Sequence, residues 1–450
     1  MSESYNPDEF PVTGSSHKDR TRVPETTKLE SLKDDVVRNV SIVSDYLQKN
    51  GLPQPSFERN APLTFIPPRS PSHIQQARQD LMEAALKLFQ LASGPIEYIP
   101  NLALGYHYLA CLRWLTYFNI FKKVPLEGNI HYAQLAESAS VSEVQLKSIS
   151  RMAMTNNLFH EPEPNHVAHT PISALLATDH LMHEWARFMT ERSALCASKM
   201  LEASITWPQS LAKNHTGFNI AQDTTLTFFE WLDKEPKESE RFAQYMQMIR
   251  STEGLGLEHL ISGFDWASLG TGTVVDVGGS SGSVSIELAK AFTNLTFVVQ
   301  DLPQNIEAAS TSLPKDFPCL AKRITFQGHD FFKEQTVKGA DAYLLRMILH
   351  DWQPEDCVRI LRRILPAMKK TSKIIIMDVV LPKPGSVPAV QESLLRARDI
   401  TMLQSFNSTE RDIDDWHALL GDTDKKLKII NVVHPVGSWM AVLEVGLESM

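Results

Sequence analysis

A chain of 450 residues is too long for one hydrophobic core, and its 43% hydrophobic and 22% charged residues are ordinary for a globular protein of two domains. The net charge of −9 argues against a nucleic-acid partner, since phosphate contacts require a basic face. The four cysteines are scattered and form no C-x-x-C pair, so we expect reduced thiols in a cytoplasmic protein, with neither a disulfide framework nor a metal site.

The first part of the chain is predicted to be helical. Residues 1–26 are polar, lack a signal-peptide pattern and indicate a disordered tail. A helix is expected from Thr27, followed by a proline-rich arm over 51–71 and by helices near 74–94 and 102–121. Polar residues interrupt the apolar stretch 99–121 and would be costly in lipid, so we expect a buried helix or a subunit interface rather than a membrane span.

The segment 131–173 has the outline of a winged helix. Two helical patterns are separated by a turn, the second begins at Ser142 as its cap, and a short β-like return follows. By itself this outline suggests DNA binding. The second helix, however, carries only Lys147 and Arg151 as cations in an acidic chain, so a regulatory DNA-binding role is a weaker hypothesis, which retention on heparin would favour.

Strand and helix patterns alternate from residue 273 onward. The strands are predicted at 273–278, 295–300, 324–329, 341–348, 373–381, 427–434 and 438–446, with helices between the first five. This alternation predicts an α/β domain with a doubly wound, Rossmann-like seven-stranded sheet whose last two strands form a hairpin. We therefore divide the chain into a tail (1–26), a mainly helical, winged-helix-like domain (27–175) and the α/β domain (176–450).

The stretch 273–303 indicates an adenosine site. A glycine turn that includes Gly278 and Gly279 follows the first strand, and glycines let a ligand approach the main chain closely. Asp301 ends the next strand, where a carboxylate can accept hydrogen bonds from both ribose hydroxyls. Because Ser280 and Ser283 stand where a dinucleotide fingerprint requires glycine, the adenosine is expected to carry a substituent other than a pyrophosphate.

A candidate general base follows the fourth strand. Parallel strands present their ligands at their carboxyl ends, so His350 should share an edge with Gly278 and Asp301. An imidazole is suited to accepting a proton from a phenol. Two acids could orient it: Asp378, at the end of the next strand, and Glu410, which is expected to begin a helix capped by Ser408 or Thr409.

Five motifs fall in the order of a known family. They are DVGGSSG (276–282), QDLP (300–303), GHDFF (328–332), LHDW (349–352) and STER (408–411). With them, the chain from about 100 to 445 resembles the class I S-adenosylmethionine-dependent O-methyltransferases, in the subgroup of plant caffeic acid and flavonoid enzymes and fungal secondary-metabolite enzymes. The proline-rich arm and the tail favour the fungal type.

The resemblance implies roles for residues at matching positions. His350 would be the base, flanked by Asp378 and Glu410. The cofactor S-adenosylmethionine would lie on Gly278, Gly279, Asp301, Asp330, Phe331 and Arg346, and the acceptor pocket would include Phe242 and Met246. Plant relatives usually carry Glu at the position of Asp378 and Lys at that of Arg346, and the shorter Asp378 reaches less far toward His350.

The implied reaction is methyl transfer to a phenolic or enolic hydroxyl of a small secondary metabolite, an aromatic or polyketide compound. The N-terminal domain would form a homodimer and close the partner's pocket, without nucleic acid or membrane as partners. An alternative on the same fold is a pericyclase or dehydratase that binds S-adenosylmethionine without moving its methyl group. The two functions differ in the base, because only methyl transfer needs a base aligned with the methyl.

Overall fold

The computed structural model describes residues 27–67, 70–309 and 320–448. The tail predicted for residues 1–26 lies outside these described residues. Within the described ranges, every helix is too short or too polar to cross a bilayer.

The N-terminal part is helical, as predicted. Its helices are α1 (Lys28–Lys49), α2 (Ser72–Ala103), α3 (Gly105–Tyr117), α4 (Ile120–Lys123), α5 (Tyr132–Ala139), α6 (Glu143–Met154), α7 (Pro171–Thr178) and α8 (His180–Phe188). α1 begins after Thr27 because the Thr27 hydroxyl accepts the Glu30 N–H while the Glu30 carboxylate accepts the Thr27 N–H. The described part of the proline-rich arm forms neither helix nor strand, and its Ile66 packs in a small core with Leu47.

The winged-helix outline is confirmed. Strands β1 (Ile130–His131) and β2 (His166–Val167) pair antiparallel beside α5 and α6. α6 begins after Ser142, whose hydroxyl accepts the Gln145 N–H. Both cations of α6 are paired within the domain, Arg151 with the Glu161 carboxylate at 2.8 and 2.9 Å and Lys147 with the Asn165 side chain.

The apolar stretch 99–121 has two different environments. Leu115, Ile120 and Phe121 are fully buried in the core of the winged helix. Ile99 and Leu102, near the end of α2, are about two-thirds exposed, at 67% and 68%. The prediction of a buried helix is therefore confirmed for the second half of the stretch only.

A helical segment connects this region to the sheet. It contains α9 (Ala194–Ser198), α10 (Met200–Thr206), α11 (Gly217–Ala221), α12 (Phe228–Lys234), α13 (Pro236–Ser251) and α14 (Leu257–Gly263). Aromatic side chains hold it together, since Phe228 meets Phe218, Phe242 and Phe406 edge to face with ring centroids 5.1–5.2 Å apart.

The C-terminal part is built on a seven-stranded sheet. Its strands are β3 (Thr273–Val277), β4 (Thr296–Asp301), β5 (Ile324–Gly328), β6 (Ala342–Arg346), β7 (Lys373–Asp378), β10 (Leu427–Val433) and β11 (Ala441–Leu447), and a separate pair consists of β8 (Val380–Leu381) and β9 (Arg411–Asp412). The order is β10-β11-β7-β6-β3-β4-β5, with β3 to β7 parallel and β10 and β11 an antiparallel hairpin. The predicted α/β fold class is confirmed.

Helices cover both faces of this sheet. They are α15 (Ser283–Ala291), α16 (Pro303–Ala309), α17 (Pro354–Ile364), α18 (Ala389–Phe406) and α19 (Ile413–Thr423). Successive residues of a strand point to opposite faces, so Val274 packs in one hydrophobic core and Val275 in the other. A sheet buried on both sides exposes its ends, and these ends are where polar side chains can gather.

The helix predicted between the third and fourth strands of the sheet does not form. The described residues between β5 and β6 are a loop. The buried Gln335 explains the difference, because its side chain exchanges hydrogen bonds with that of Gln300 on β4 at 2.8 and 2.9 Å, and its N–H donates to the Arg363 carbonyl of α17. These bonds tie the loop across the sheet in place of helical bonds.

Candidate active site

His350 lies just beyond the carboxyl end of β6. The strand stops at Arg346, and Met347 turns the chain with a φ of 54°, a left-handed conformation that is uncommon for a residue other than glycine. A short 3₁₀ turn, Leu349–Asp351, then places His350 beside the end of β7. Strained backbone of this kind is often found at functional sites.

The imidazole of His350 is paired with Glu410. Its Nδ1 lies 3.1 Å from Glu410 Oε1, and both residues are buried, at 7% and 3% exposed. We assign the proton to Nδ1, because a buried carboxylate requires a donor. When the ring is neutral, this tautomer has its lone pair on Nε2, which is then the atom that could accept a proton from a substrate.

Hydrogen bonds of its own N–H group and of the neighbouring Arg411 side chain hold Glu410 in place. The Asp399 carboxylate of α18 accepts the Glu410 N–H at 2.9 Å. The next residue, Arg411, donates to the Leu349 and Trp352 carbonyls at 2.8 and 2.7 Å. The predicted helix start at Glu410 is wrong, since the chain enters β9 there and α19 begins only after Asp412, whose side chain caps it.

Ser408 has a different partner from the one predicted. Its hydroxyl donates to the carbonyl of His350 itself, at 2.8 Å, and does not cap a helix at Glu410. Ser408, Glu410 and Arg411 therefore all bind the segment that carries the histidine. The sequence signal for this lies in the STER motif, where these three residues occur within four positions.

Two further acids flank the imidazole. Asp351 Oδ1 lies 3.5 Å from His350 Nε2. Asp378, the last residue of β7, is fully buried, and neither of its carboxylate oxygens has a hydrogen-bond partner among the described residues. The structure thus brings Asp378 to the His350 cluster, as the strand ends predict, but it provides no hydrogen bond between the two.

The cluster shifts the ionisation of its members. Burial lowers the pKa of His350, but the charges of Asp351 and Glu410 and the bond to Glu410 outweigh it and raise this pKa to about 10. Burial raises the pKa of Asp378 to about 7, against the effect of the His350 charge. Burial also raises the pKa of Asp351. A positively charged imidazole among acids is therefore the favoured state at neutral pH.

The glycine turn lies beside this cluster. Gly278 and Gly282 have positive φ, at 75° and 73°. The N–H groups of Gly278 and Gly279 both donate to the Gln300 carbonyl, at 2.8 and 3.0 Å, so the turn is locked to β4. A Cβ on Gly279 would lie 2.7 Å from Asp276 Cγ, and Asp276 is buried. The turn therefore tolerates only glycine at position 279.

Asp301 faces the same turn. Its Oδ2 accepts the Ser280 N–H at 2.8 Å, and its Oδ1 accepts the Leu302 N–H and the Asn305 amide at 2.8 and 2.7 Å. These bonds fix the orientation of the carboxylate, and an ionised carboxylate with about four acceptor sites retains capacity for a hydroxyl. The arrangement fits the ribose contact predicted for this residue.

The remaining predicted cofactor residues border the turn. A Cβ on Gly278 would lie 3.8 Å from the Phe331 ring, and Asp330 accepts the Phe332 N–H at 2.9 Å. Arg346 donates to the Leu255 carbonyl at 2.6 Å and lowers the pKa of Asp276 through its charge, although burial raises that pKa to about 6. The structure thus gathers these side chains at one edge of the sheet.

The two predicted acceptor residues lie on α13. Phe242 packs against Phe188 and Phe228, with ring centroids 6.0 and 5.2 Å apart, and so belongs to the aromatic core of the helical segment. Met246 is partly buried one turn later. A contact of either residue with an acceptor stays a prediction.

Comparisons with known proteins show the family of this chain. Residues 210–424 match the family described as O-methyltransferase domain, and residues 26–93 match the trypacidin cluster transcriptional coactivator tpcD N-terminal domain. O-methyltransferase pgmB of Aspergillus terreus is 49% identical over 428 residues, which is 94% of this chain and 96% of pgmB. This chain belongs to the fungal secondary-metabolite O-methyltransferases.

Solved structures share the fold of this O-methyltransferase. OxaC in complex with sinefungin and meleagrin superposes with a TM-score of 0.70 at 22% identity, over 92% of this chain and all of that one. LepI in complex with SAM has a TM-score of 0.69 at 20% identity, again over 92% of this chain and 100% of that one. The cofactor of this O-methyltransferase is S-adenosylmethionine, as predicted, and the glycine turn and Asp301 suit an adenosine carrying a substituent other than a pyrophosphate.

The O-methyltransferase contains supporting residues that the motif analysis did not assign. Asp399 and Arg411 fix the backbone around Glu410 and His350, and Asp276 accepts the Ser285 hydroxyl at 2.7 Å under the glycine turn. Arg411 and Asp276 stand inside the motifs STER and DVGGSSG, so a signal for them existed. Asp399 lies in α18, outside any motif, and only the folded chain brings it to Glu410.

The glycine turn provides a direct test of cofactor binding. We expect Gly279→Ala to weaken S-adenosylmethionine binding by at least about tenfold, because the added Cβ collides with the buried Asp276 and distorts the turn. Calorimetry would measure the affinity, and the rise in melting temperature on adding the cofactor would report it independently. Gly421→Ala is the matched control, since a Cβ there meets nothing within 4 Å. Equal affinity of Gly279→Ala and wild type would contradict the assignment.

Proposed function

We propose that this O-methyltransferase methylates a phenolic or enolic hydroxyl of a small aromatic or polyketide metabolite, with His350 as the general base. The buried His350–Glu410 hydrogen bond carries the proposal, because it fixes the tautomer that leaves Nε2 able to take a proton. The glycine turn at the same sheet edge supports it, since the base then stands beside the cofactor residues.

The raised pKa of His350 suits a phenolic substrate. A phenol has a pKa near 10, close to that of the His350 imidazole, about 10. Proton transfer between two groups of similar pKa is nearly balanced in free energy. The reaction can begin from a neutral imidazole with a phenol or from an imidazolium with a phenolate. Both combinations carry the same number of protons, which is one fewer than an imidazolium with a phenol.

The other acids have separate roles in this proposal. Glu410 orients the imidazole and stabilises its charged form. Asp378, which makes no hydrogen bond to His350, contributes through its charge alone, and this contribution is reduced when Asp378 is protonated below a pH of about 7. Asp351 stabilises the imidazolium from the Nε2 side.

The cofactor residues hold S-adenosylmethionine in the proposal. Gly278 and Gly279 would carry its methionine end, Asp301 the ribose, and Asp330 and Phe331 the adenine. When bound, the cofactor supplies an electrophilic methyl group. Most of the acceleration would come from holding the acceptor oxygen in line with that group, while His350 removes the proton.

A homodimer through the N-terminal domain (27–175) completes the proposal. Ile96, Ile99, Leu102 and Tyr106 are 66–87% exposed at the junction of α2 and α3. Beside them lies a groove of about 550 Å³, lined by Tyr106, Trp114 and other residues of α3 and by residues of α9. Contiguous exposed apolar surface of this kind marks an interaction site.

Two other functions explain fewer observations. A pericyclase or dehydratase that retains its methyl group needs no base aligned with that methyl group, although its histidine could polarise a quinone methide, so the buried Glu410–His350 pair beside the cofactor residues favours methyl transfer. A DNA-binding role would need free cations on α6, but Lys147 and Arg151 are paired with Asn165 and Glu161.

The first test is methyl transfer itself. We expect label from methyl-labelled S-adenosylmethionine to appear in a phenolic or polyketide product, and His350→Ala to lower the rate by about 10²–10⁴, as for a lost general base. His417→Ala, at an exposed position of α19, is the matched control and should keep full activity. An unmethylated product formed at the same rate in wild type and His350→Ala would favour the pericyclase instead.

The pH dependence tests the role of Glu410. Because the raised pKa keeps His350 protonated at neutral pH, kcat/KM for a phenol should rise with pH between 6 and about 9. Glu410→Gln removes a charge that raises this pKa, so the rise should level off at lower pH, and the maximal rate should fall by about 10² or more.

Wild type and Glu410→Gln both keep Asp351 and Asp378, so the difference between their pH profiles measures the effect of Glu410. Glu334→Gln, at an exposed side chain, should leave the profile unchanged. A Glu410→Gln profile with the wild-type shape would show that Glu410 does not set the pKa of His350.

The proposed dimer is tested at Ile99. We expect wild type to sediment as a dimer, and Ile99→Asp to shift the equilibrium toward monomer, because a carboxylate in an apolar interface must lose its hydration. Val144→Asp, at a 76% exposed position on α6, is the control and should stay dimeric. A wild-type protein that sediments as a monomer at micromolar concentration would contradict the proposal.

A further inference from the structure

Arg398 is a cation next to the catalytic cluster that neither the motifs nor the proposed mechanism uses. It lies on α18, directly before Asp399, the residue that accepts the Glu410 N–H. Its guanidinium carbon lies 5.1 Å from the centre of the Trp439 ring. The guanidinium therefore lies against the face of the Trp439 ring, and the next residue of the same helix, Asp399, positions Glu410.

The guanidinium lacks a polar partner. Among the residues that the structure describes, Arg398 donates no hydrogen bond and forms no ion pair. Burial lowers its pKa, while the nearby Glu410 and Tyr245 act in the opposite direction. An arginine stays charged in proteins, so this is a partly buried positive charge with five unused donors.

The charge of Arg398 interacts with two residues, Tyr245 and Glu410. Tyr245 is on α13 between the two predicted acceptor residues, Phe242 and Met246, and stacks on Phe188 with ring centroids 4.2 Å apart. Glu410 is the partner of the proposed base. Arg398 thus lies near both the helix expected to border the acceptor and the group that orients His350.

The positive charge of Arg398 favours one kind of ligand. The chain carries a net charge of −9, and three acids surround His350, so the site as a whole repels anions. A partly buried cation without a partner is costly unless a ligand pairs with it. A carboxylate matches the fork of an arginine, and such bidentate pairs are strong.

We propose that Arg398 selects acceptors that carry a carboxylate in addition to the hydroxyl to be methylated. This inference rests on the proposed function, because it names the acceptor class of the same site. Arg398 binds the carboxylate, Trp439 supports the guanidinium from its face, and the hydroxyl is left for His350.

The test measures binding rather than turnover. The probes are salicylate against salicylamide, and para-hydroxybenzoate against para-hydroxybenzamide, which place the two groups at short and long separation. Titrations use the full chain with S-adenosylhomocysteine present. Wild type should bind the carboxylate of at least one pair about tenfold more tightly than its amide, and Arg398→Gln should lose that preference while amide affinity stays unchanged.

Two further variants separate recognition from packing. Arg398→Lys keeps the charge and should keep part of the preference, whereas a role in packing on Trp439 alone would change the affinities for carboxylate and amide equally. Arg396→Gln is the control on the same helix, since Arg396 is already bound to Glu392 and to the Pro382 carbonyl. It should keep the full preference.

The outcomes distinguish this inference from the proposed function. Equal binding of carboxylate and amide by wild type, binding of neither, or a preference that survives in Arg398→Gln would overturn it. His350→Ala should keep the preference. If wild type transfers no methyl label to any phenol yet discriminates between the probes, the proposed function fails while the assignment of Arg398 stands.

Discussion

The hydrogen bond between Glu410 and His350 is the interaction on which the site depends. It joins two segments sixty positions apart in the chain and gives a hydrogen-bond donor to a buried acid, whose charge also interacts with Arg398. Neighbouring bonds serve the same contact: Ser408 holds the His350 carbonyl, Arg411 the carbonyls on either side, and Asp399 the Glu410 backbone. Loss of this bond would leave a buried carboxylate unpaired and a histidine of undefined tautomer.

The electrostatics of the cluster explain why a buried histidine can be a base for a phenol. Three acids raise the pKa of His350 against the effect of burial, so its affinity for a proton approaches that of a phenolate. The same acids make the site unfavourable for anions, and a cation such as Arg398 offsets this locally. In the proposed mechanism, one charge arrangement would therefore determine both the strength of the base and the choice of acceptor.

Predictions from the sequence were correct where they depended on short local patterns. The periods of apolar residues located all seven strands of the sheet. The motif residues Asp301, His350 and Glu410 and the strand-end residue Asp378 lie at one sheet edge. The predictions failed where distant contacts decide the local structure. The loop after β5 contains Gln335, whose bonds to Gln300 and Arg363 replace a helix, and the chain directly after Glu410 forms β9, which pairs with β8. Neither set of partners is near in sequence.

The sequence by itself determined the fold class through its hydrophobic periodicity, and the family and the cofactor through the resemblance of five motifs to a known family, because periodicity and motifs are properties of short segments. The tertiary structure alone decided which acid bonds to the imidazole. The sequence offers both Asp378 and Glu410 as partners, with the shorter Asp378 expected to reach less far. In the structure Glu410 reaches Nδ1, and the Asp378 carboxylate has no hydrogen-bond partner among the described residues. The tertiary structure also places Arg398 near Glu410 without a hydrogen bond or ion pair among the described residues. Such distinctions depend on distances of an ångström between distant segments, which no local pattern encodes.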